Sequence, residues 1–437
     1  MMTNETHVTG EPKLSERRLS TSISTKMIPA AWQTPLPPRI EASEDSVSAE
    51  AAAAIPSQPL TRAAVSKLLR QTKIIATLGP STDDGGVLRN LLEAGVSVFR
   101  VDLACISRES ALKAVYAIRS ISTELQRPVA LLLETQTVPH GGDSTAMTES
   151  DWAVIRFGLE AGVDWLAVSA GRHGEAVRQL RQFLADQKRN GVNILARIAN
   201  PPSLVELDQI IRDADGIILS GVNPSSECPG TENSIIVQKC VSARKLSVIV
   251  TSADAEVTAA LAAQPDALLV TEALHAGSDP VQSVQRLDGL IRRGESNGGD
   301  SGHAAIPLVT ELDQSVAAAV RQADETDADA IVVFTRLGNS AGLCAALRPR
   351  QSRIFAFTPD ARLARRLRLR YALEPIVLPF ADQPNKTLQA AEKLLLERRL
   401  LSSGAKIVYV TDLLDRDERI SSVLNRVLGS TTGKAQS

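Results

Sequence analysis

Eight short β-rich runs alternate with amphipathic stretches between Lys73 and about Gly294. The runs are Lys73–Leu78, Val96–Val101, Pro128–Leu133, Val163–Val168, Val192–Ile198, Asp215–Ser220, Leu246–Thr251 and Asp266–Thr271. Each is followed by a segment whose apolar residues recur at helical spacing. Strands alternating with helices imply parallel pairing through right-handed crossovers. Eight such units predict a closed (β/α)8 TIM barrel over residues 70–294. That fold carries its functional groups at the C-terminal ends of its strands, so the chemistry of the chain is expected at eight defined places.

The flanks read differently. Residues 1–60 lack sustained periodicity and hold Pro35, Pro37, Pro38, Pro56 and Pro59, which predicts a disordered N-terminal arm. The Gly/Ser/Asn-rich run from Gly294 to Gly302 predicts a flexible linker at 295–304. A smaller α/β domain with a mainly parallel sheet is then expected over 305–415. Its strands fall at Ala330–Phe334, Arg353–Phe357, Pro375–Leu378 and Lys406–Val410, and a basic helix spans Ala361–Arg370. Its arginines, Arg362, Arg365, Arg366, Arg368 and Arg370, read most simply as a solvated face, with an acidic partner or an oligomer contact as the alternative. Residues 416–437 are expected to form a C-terminal tail with one more apolar-periodic stretch.

Composition removes several function classes. The net charge is -2 and aromatics make up 3% of residues, so neither a nucleic acid nor an acidic membrane is expected as a partner. Cys105, Cys228, Cys240 and Cys344 are scattered without a CxxC, as for reduced thiols in a cytoplasmic protein. The N-terminus has no apolar signal core. It is Ser/Thr-rich with some arginine, like a transit peptide, but it also carries Glu5, Glu11 and Glu16.

Several segments, in order, resemble the pyruvate kinase family. Thr72-Lys-Ile-Ile-Ala-Thr-Leu-Gly-Pro-Ser81 resembles the first barrel strand, Glu93-Ala-Gly-Val-Ser-Val-Phe-Arg100 the second and Arg127-Pro-Val-Ala-Leu-Leu-Leu-Glu-Thr135 the third. Met147-Thr-Glu-Ser-Asp151, Gly162-Val-Asp164, Asp215-Gly-Ile-Ile218 and Gly277-Ser-Asp-Pro280 fit later landmarks. Thr335-Arg-Leu-Gly-Asn-Ser-Ala341 and Arg348-Pro-Arg350 fit the C-terminal domain. The resemblance implies phosphoryl transfer from phosphoenolpyruvate to ADP, a glycolytic reaction. It also implies Mg2+ and K+ as cofactors and a homo-oligomer or a partner paralogue. Such chemistry needs cations around the transferring oxygens.

The resemblance places Arg100 on the phosphoryl group and Arg197 where the family has a catalytic lysine. It adds Asn200 and Ser252 to the substrate site. The cation ligands would fall at Asp102, Glu134, Thr135 and Asn223, and the sugar-phosphate effector loop at Thr335, Gly338, Asn339 and Ser340. The departures all weaken catalysis. Ala104 replaces a hydroxyl ligand, Gln136 a lysine, Ala199 a metal-binding glutamate and Asn223 a metal-binding aspartate. Magnesium binds mainly through carboxylates and substrate oxygens, so these exchanges remove its grip. The family also inserts a β-rich lid after the third strand, where this chain has only His140-Gly-Gly-Asp-Ser-Thr145.

The leading expectation is therefore a pyruvate-kinase-like protein, impaired or a pseudoenzyme, whose classical activity is weak or absent and which binds a small phosphorylated metabolite. One alternative is an active kinase whose metal site is rebuilt from Glu134, Glu272 or Asp102. Another is a non-catalytic metabolite-binding or scaffolding subunit. Arg100 and Arg197 can also be read as barrel-mouth arginines paired with Glu134 or Asp102.

Overall fold

The computed structural model describes residues 70–429, apart from 83–84, 136–146, 171–173, 199–203, 221–230, 253, 271–278, 298–305 and 416–417. The expected N-terminal arm lies outside these residues.

Eight parallel strands close into a barrel, each paired with its neighbour in chain order and β1 with β8. They are β1 (Lys73–Thr77), β2 (Val98–Val101), β3 (Ala130–Glu134), β4 (Trp165–Ser169), β5 (Asn193–Ile198), β6 (Gly216–Leu219), β7 (Leu246–Thr251) and β8 (Ala267–Val270). The crossover helices are α1 (Gly85–Ala94), α2 (Arg108–Glu124), α3 (Glu149–Ala161), α4 (Glu175–Asp186), α5 (Leu204–Asp213), α6 (Thr231–Ser242), α7 (Asp254–Ala262) and α8 (Pro280–Asn297). Helix α8 occupies the first positions of the segment read as a linker. Both faces of the strands are covered, which explains the nearly continuous apolar runs that made them visible in sequence.

The C-terminal domain holds α9 (Glu311–Glu325), β9 (Ala330–Phe334), α10 (Asn339–Ala346), β10 (Arg353–Thr358), α11 (Ala361–Leu367), β11 (Leu373–Val377), α12 (Pro384–Glu397), β12 (Lys406–Asp415) and β13 (Glu418–Val427). Its five-stranded sheet runs β11-β10-β9-β12-β13. Four strands are parallel, and β13 returns antiparallel along β12. The segment read as a tail thus contributes an edge strand.

Local chemistry fixes the joints. Thr148 with Asp151 and Thr310 with Asp313 form reciprocal capping boxes at the starts of α3 and α9. Asp313 also accepts both terminal nitrogens of Arg244, from the barrel, at 2.9 Å each. That guanidinium holds its carboxyl well below the usual carboxylate range. Gly216 is tightly enclosed in the wall, because an added Cβ would lie 2.6 Å from Leu246 Cβ and 2.9 Å from Leu246 O. Gly216→Ala is expected to lower stability by about 1–3 kcal/mol through overpacking, read as a shift in denaturant midpoint. An unchanged midpoint would show that the β6–β7 wall relaxes freely.

Of the arginines in and just after α11, Arg362 is exposed as a solvated face requires, but the other four are not free in solvent. Arg365 Nε donates to Asp164 Oδ1 at 2.7 Å, and Arg366 Nη1 donates to Asn193 Oδ1 at 3.4 Å. Arg368 is buried and pairs with Glu374. Arg370 Nη1 donates to the Arg244 carbonyl at 3.0 Å. Asp164, Asn193 and Arg244 stand at or just before the N-terminal ends of barrel strands. The C-terminal domain therefore docks across the barrel floor. Leu369, fully buried, enters the apolar cluster of the barrel interior beside Ile75, Leu132, Trp165 and Leu269.

Candidate active site at the barrel mouth

Side chains alternate along a strand, so each barrel strand sends every second residue inward. The inward rows run Lys73–Ile75–Thr77, Val98–Arg100, Ala130–Leu132–Glu134, Trp165–Ala167–Ser169 and Leu195–Arg197. Their middle members form the apolar interior. Their upper members are polar, and there the expected site residues meet.

Glu134 is the hub. Arg100 Nε donates to its Oε2 at 2.5 Å, and Arg197 Nη1 donates to its Oε1. Arg100 also donates Nη2 to Asp102 Oδ2 at 2.7 Å and Nη1 to Thr77 Oγ1 at 3.1 Å. Arg197 Nε donates to Ser220 Oγ at 3.2 Å. The Glu134 side chain is 5% exposed, Arg100 12% and Arg197 28%. The Arg100–Glu134 pair is thus largely withdrawn from water, while Arg197 keeps an open face. Its Nη2 makes no hydrogen bond among the described residues. The two arginines and two carboxylates sum to zero charge, so an incoming anion would meet Arg197 Nη2 first.

The remaining expected residues divide. Asp102 Oδ1 accepts the Ala104 amide at 2.9 Å, so both its oxygens are engaged. Thr135 closes strand β3 by donating its amide to the Ala167 carbonyl at 3.0 Å. The Ser252 amide and hydroxyl both donate to Glu256 Oε2, at 2.7 and 2.9 Å. Asn200, Asn223, Ala199 and Glu272 lie outside the described residues. Cys105 is exposed, but burial of its sulfur and the nearby Asp102 raise its pKa, which disfavours a reactive thiolate. Thr77 and Ser220 were not anticipated. Period-two counting from Ile75 and Ile218 would have placed both in the inward rows.

At the expected effector loop, Thr335 is buried and its Oγ1 accepts the Gly338 amide at 2.8 Å. Gly338 takes φ +91°, a conformation that glycine adopts without strain. Ser340 is buried and Asn339 exposed. Gly338 and Asn339 also line a cleft of about 880 Å3 with Arg244, Thr310 and Arg370.

The described donors do not fit magnesium. Both oxygens of Glu134 are taken by guanidinium groups, and Asp102 is split between Arg100 and a backbone amide. A divalent cation there would sit against two fixed positive charges. Among the described residues, no cluster of three or more His, Cys, Asp or Glu is placed to hold a metal ion. Nor is any described helix long and apolar enough to cross a membrane.

Comparisons with known proteins agree with this architecture. The family described as "Pyruvate kinase, barrel domain" matches residues 69–141 and 138–281. That described as "Pyruvate kinase, alpha/beta domain" matches residues 313–417. A pyruvate kinase of Methylorubrum extorquens is 23% identical across 79% of this chain and 94% of its own length. Pyruvate kinase 2 of Synechocystis is 22% identical across 84% of this chain and 82% of its own length. The chloroplastic pyruvate kinase isozyme A of Ricinus communis is 28% identical across 61% of this chain, which spans about half (51%) of that relative.

Proposed function

The chain belongs to the pyruvate kinase family, and from that premise we propose that its barrel mouth binds a small phosphorylated or carboxylated anion while transfer of a phosphoryl group between phosphoenolpyruvate and ADP is weak or lost. The observation that carries this reading is the clamp of Arg100 and Arg197 on Glu134. A carboxylate able to hold a metal is instead spent on two arginines, and the open edge of Arg197 is left for an anion. The sequence departures at Ala199 and Asn223 act in the same direction. So does the short path from Glu134 to Glu149, where the barrel match breaks at 138–141 and the family carries its lid. A site without such a lid would give little support to transfer onto a nucleotide. The family habit of assembling makes a homo-oligomer, or a complex with an active paralogue, the expected setting.

The test has two arms. In a coupled assay of pyruvate formation with magnesium and potassium, turnover should fall at least about 1,000-fold below the common enzyme value of roughly 10 per second. Turnover within about tenfold of that value would instead support a metal site rebuilt from Asp102, Glu134 or Glu272. In metal-free calorimetry, phosphoenolpyruvate should bind weakly, and Arg197→Ala should reduce the affinity by about 1–3 kcal/mol. Binding untouched by that change would remove the mouth as the anion site.

A further inference from the structure

The seam between the barrel floor and the C-terminal domain contains a lysine that no catalytic reading uses. Lys73 opens β1 and is 2% exposed. Its Nζ forms no hydrogen bond or ion pair among the described residues. Two arginines of the barrel, Arg70 and Arg127, act on it electrostatically. Arg70 is held by Asp288 Oδ1 at 2.6 Å, the Thr72 carbonyl at 2.6 Å and the Gly95 carbonyl at 2.9 Å. Arg127 donates to the Leu92 carbonyl, and its Nε has no partner. Two groups of the C-terminal domain act on Lys73 electrostatically: Arg368, 1% exposed, and Glu374, 7% exposed. These two pair with each other, while Arg368 Nε and Glu374 Oε2 are left unsatisfied. Arg398 also acts on Glu374. Glu295 is engaged by the Gln71 and Thr72 amides, and the Asp266 side chain is turned to Ser247, Arg348 and Tyr371.

Among the described residues, Glu374 is thus the carboxylate that acts on Lys73, and it already serves Arg368. A protonated Lys73 would be the fourth cation of this buried group, after Arg70, Arg127 and Arg368. We propose that Lys73 is a pH-sensitive latch: when neutral it lets the C-terminal domain close on the barrel floor, and when protonated it loosens that docking.

The direction follows from linkage. Burial pushes the Lys73 ammonium down to about 7, with Arg368 adding to the shift and Glu374 opposing it. In the unfolded chain a lysine titrates near 10.4. Between these values the unfolded state carries the extra proton, so stability rises with pH across that window. Below about 7 both states are protonated and the penalty is fully present. As pH falls toward neutrality the seam weakens, and the segment that loosens includes Leu369, the residue that plugs the floor.

The experiment is denaturant unfolding of the full chain from pH 6.5 to 9.5. The wild type should show a folding constant that rises about tenfold per pH unit in the middle of the range, the slope of a single linked proton. Lys73→Met should lose that increment, leaving only the contribution of other titrating groups such as the half-buried Lys245. A slope equal to the wild type in Lys73→Met would overturn the proposal. Should Lys73→Met fail to fold, Glu374→Gln provides the second reading. It removes the opposing carboxylate and should move the lower break of the profile to more acid pH. A break that stays in place would also overturn the latch.

Discussion

Leu369→Ala is expected to cost about 2–5 kcal/mol of unfolding free energy, the range for emptying a leucine-sized volume in a packed core. Leu369 belongs to the C-terminal domain but is fully buried in the barrel's own interior cluster. A barrel is a packed core rather than a pore, so its floor must be closed by some side chain. Here Leu369 closes it, between the buried Arg368 and the seam-bound Arg370. Truncation leaves a cavity bounded by stiff strands that collapse poorly. The effect should appear as a lower denaturant midpoint with an unchanged slope. If the loss is below about 1 kcal/mol, the floor is closed by other groups and the domain docks chiefly through Arg365 and Arg366. If unfolding instead splits into two transitions, Leu369 couples the two domains.

The barrel was legible because fully buried parallel strands need apolar residues on both faces. Runs such as Ile74–Ala76 and Leu131–Leu133 therefore stand out against the helices between them. The edge strand β13 was not. Its sequence, Glu-Arg-Ile-Ser-Ser-Val-Leu-Asn-Arg-Val over Glu418–Val427, scatters its apolar residues without strict alternation, and Leu424 and Val427 remain exposed. An edge strand covered on few sides leaves a weak pattern. The basic helix failed for another reason. Arg365 meets a carboxylate 201 positions away in the chain, at Asp164, and no local pattern distinguishes that arginine from a solvated one.

The site divides along the same line. Resemblance named Arg100, Arg197, Glu134 and Asp102 one at a time, and pairing of the arginines with Glu134 or Asp102 stood as one open reading. Which pairing forms depends on tertiary register. Arg100 lies beside Leu132 across β2–β3, two residues below Glu134, and Arg197 lies beside Ser169 across β4–β5. Only closure of the barrel brings both guanidiniums onto one carboxylate. Arg370 likewise looked like one more charge on a helix, whereas it borders a cleft shared with Arg244 and Asn339.

Glu134→Gln should separate the structural role of the clamp from its role in binding. Removing one partner of a buried pair strands the other, at a typical cost of 3–5 kcal/mol. Arg197 is partly open to solvent and Arg100 retains Asp102, so the expected loss in phosphate-free buffer lies at the lower end, about 3 kcal/mol. Glutamine keeps the shape but offers a single acceptor to two guanidiniums. The vacated charge then becomes an anion site in its own right, since two converging guanidiniums favour a phosphate oxygen. Inorganic phosphate should therefore bind the variant more tightly than the wild type. At about 100 times its dissociation constant it should restore roughly 2.7 kcal/mol, by mass action alone. A variant that is destabilised but gains nothing from phosphate would show that Glu134 holds the wall together without guarding an anion site. A variant with undiminished stability would show that the arginines find solvent or each other's remaining partners, and that the clamp is dispensable. The wild type would respond to phosphate only through the open edge of Arg197, so the difference between the two phosphate responses measures how much of the mouth Glu134 occupies.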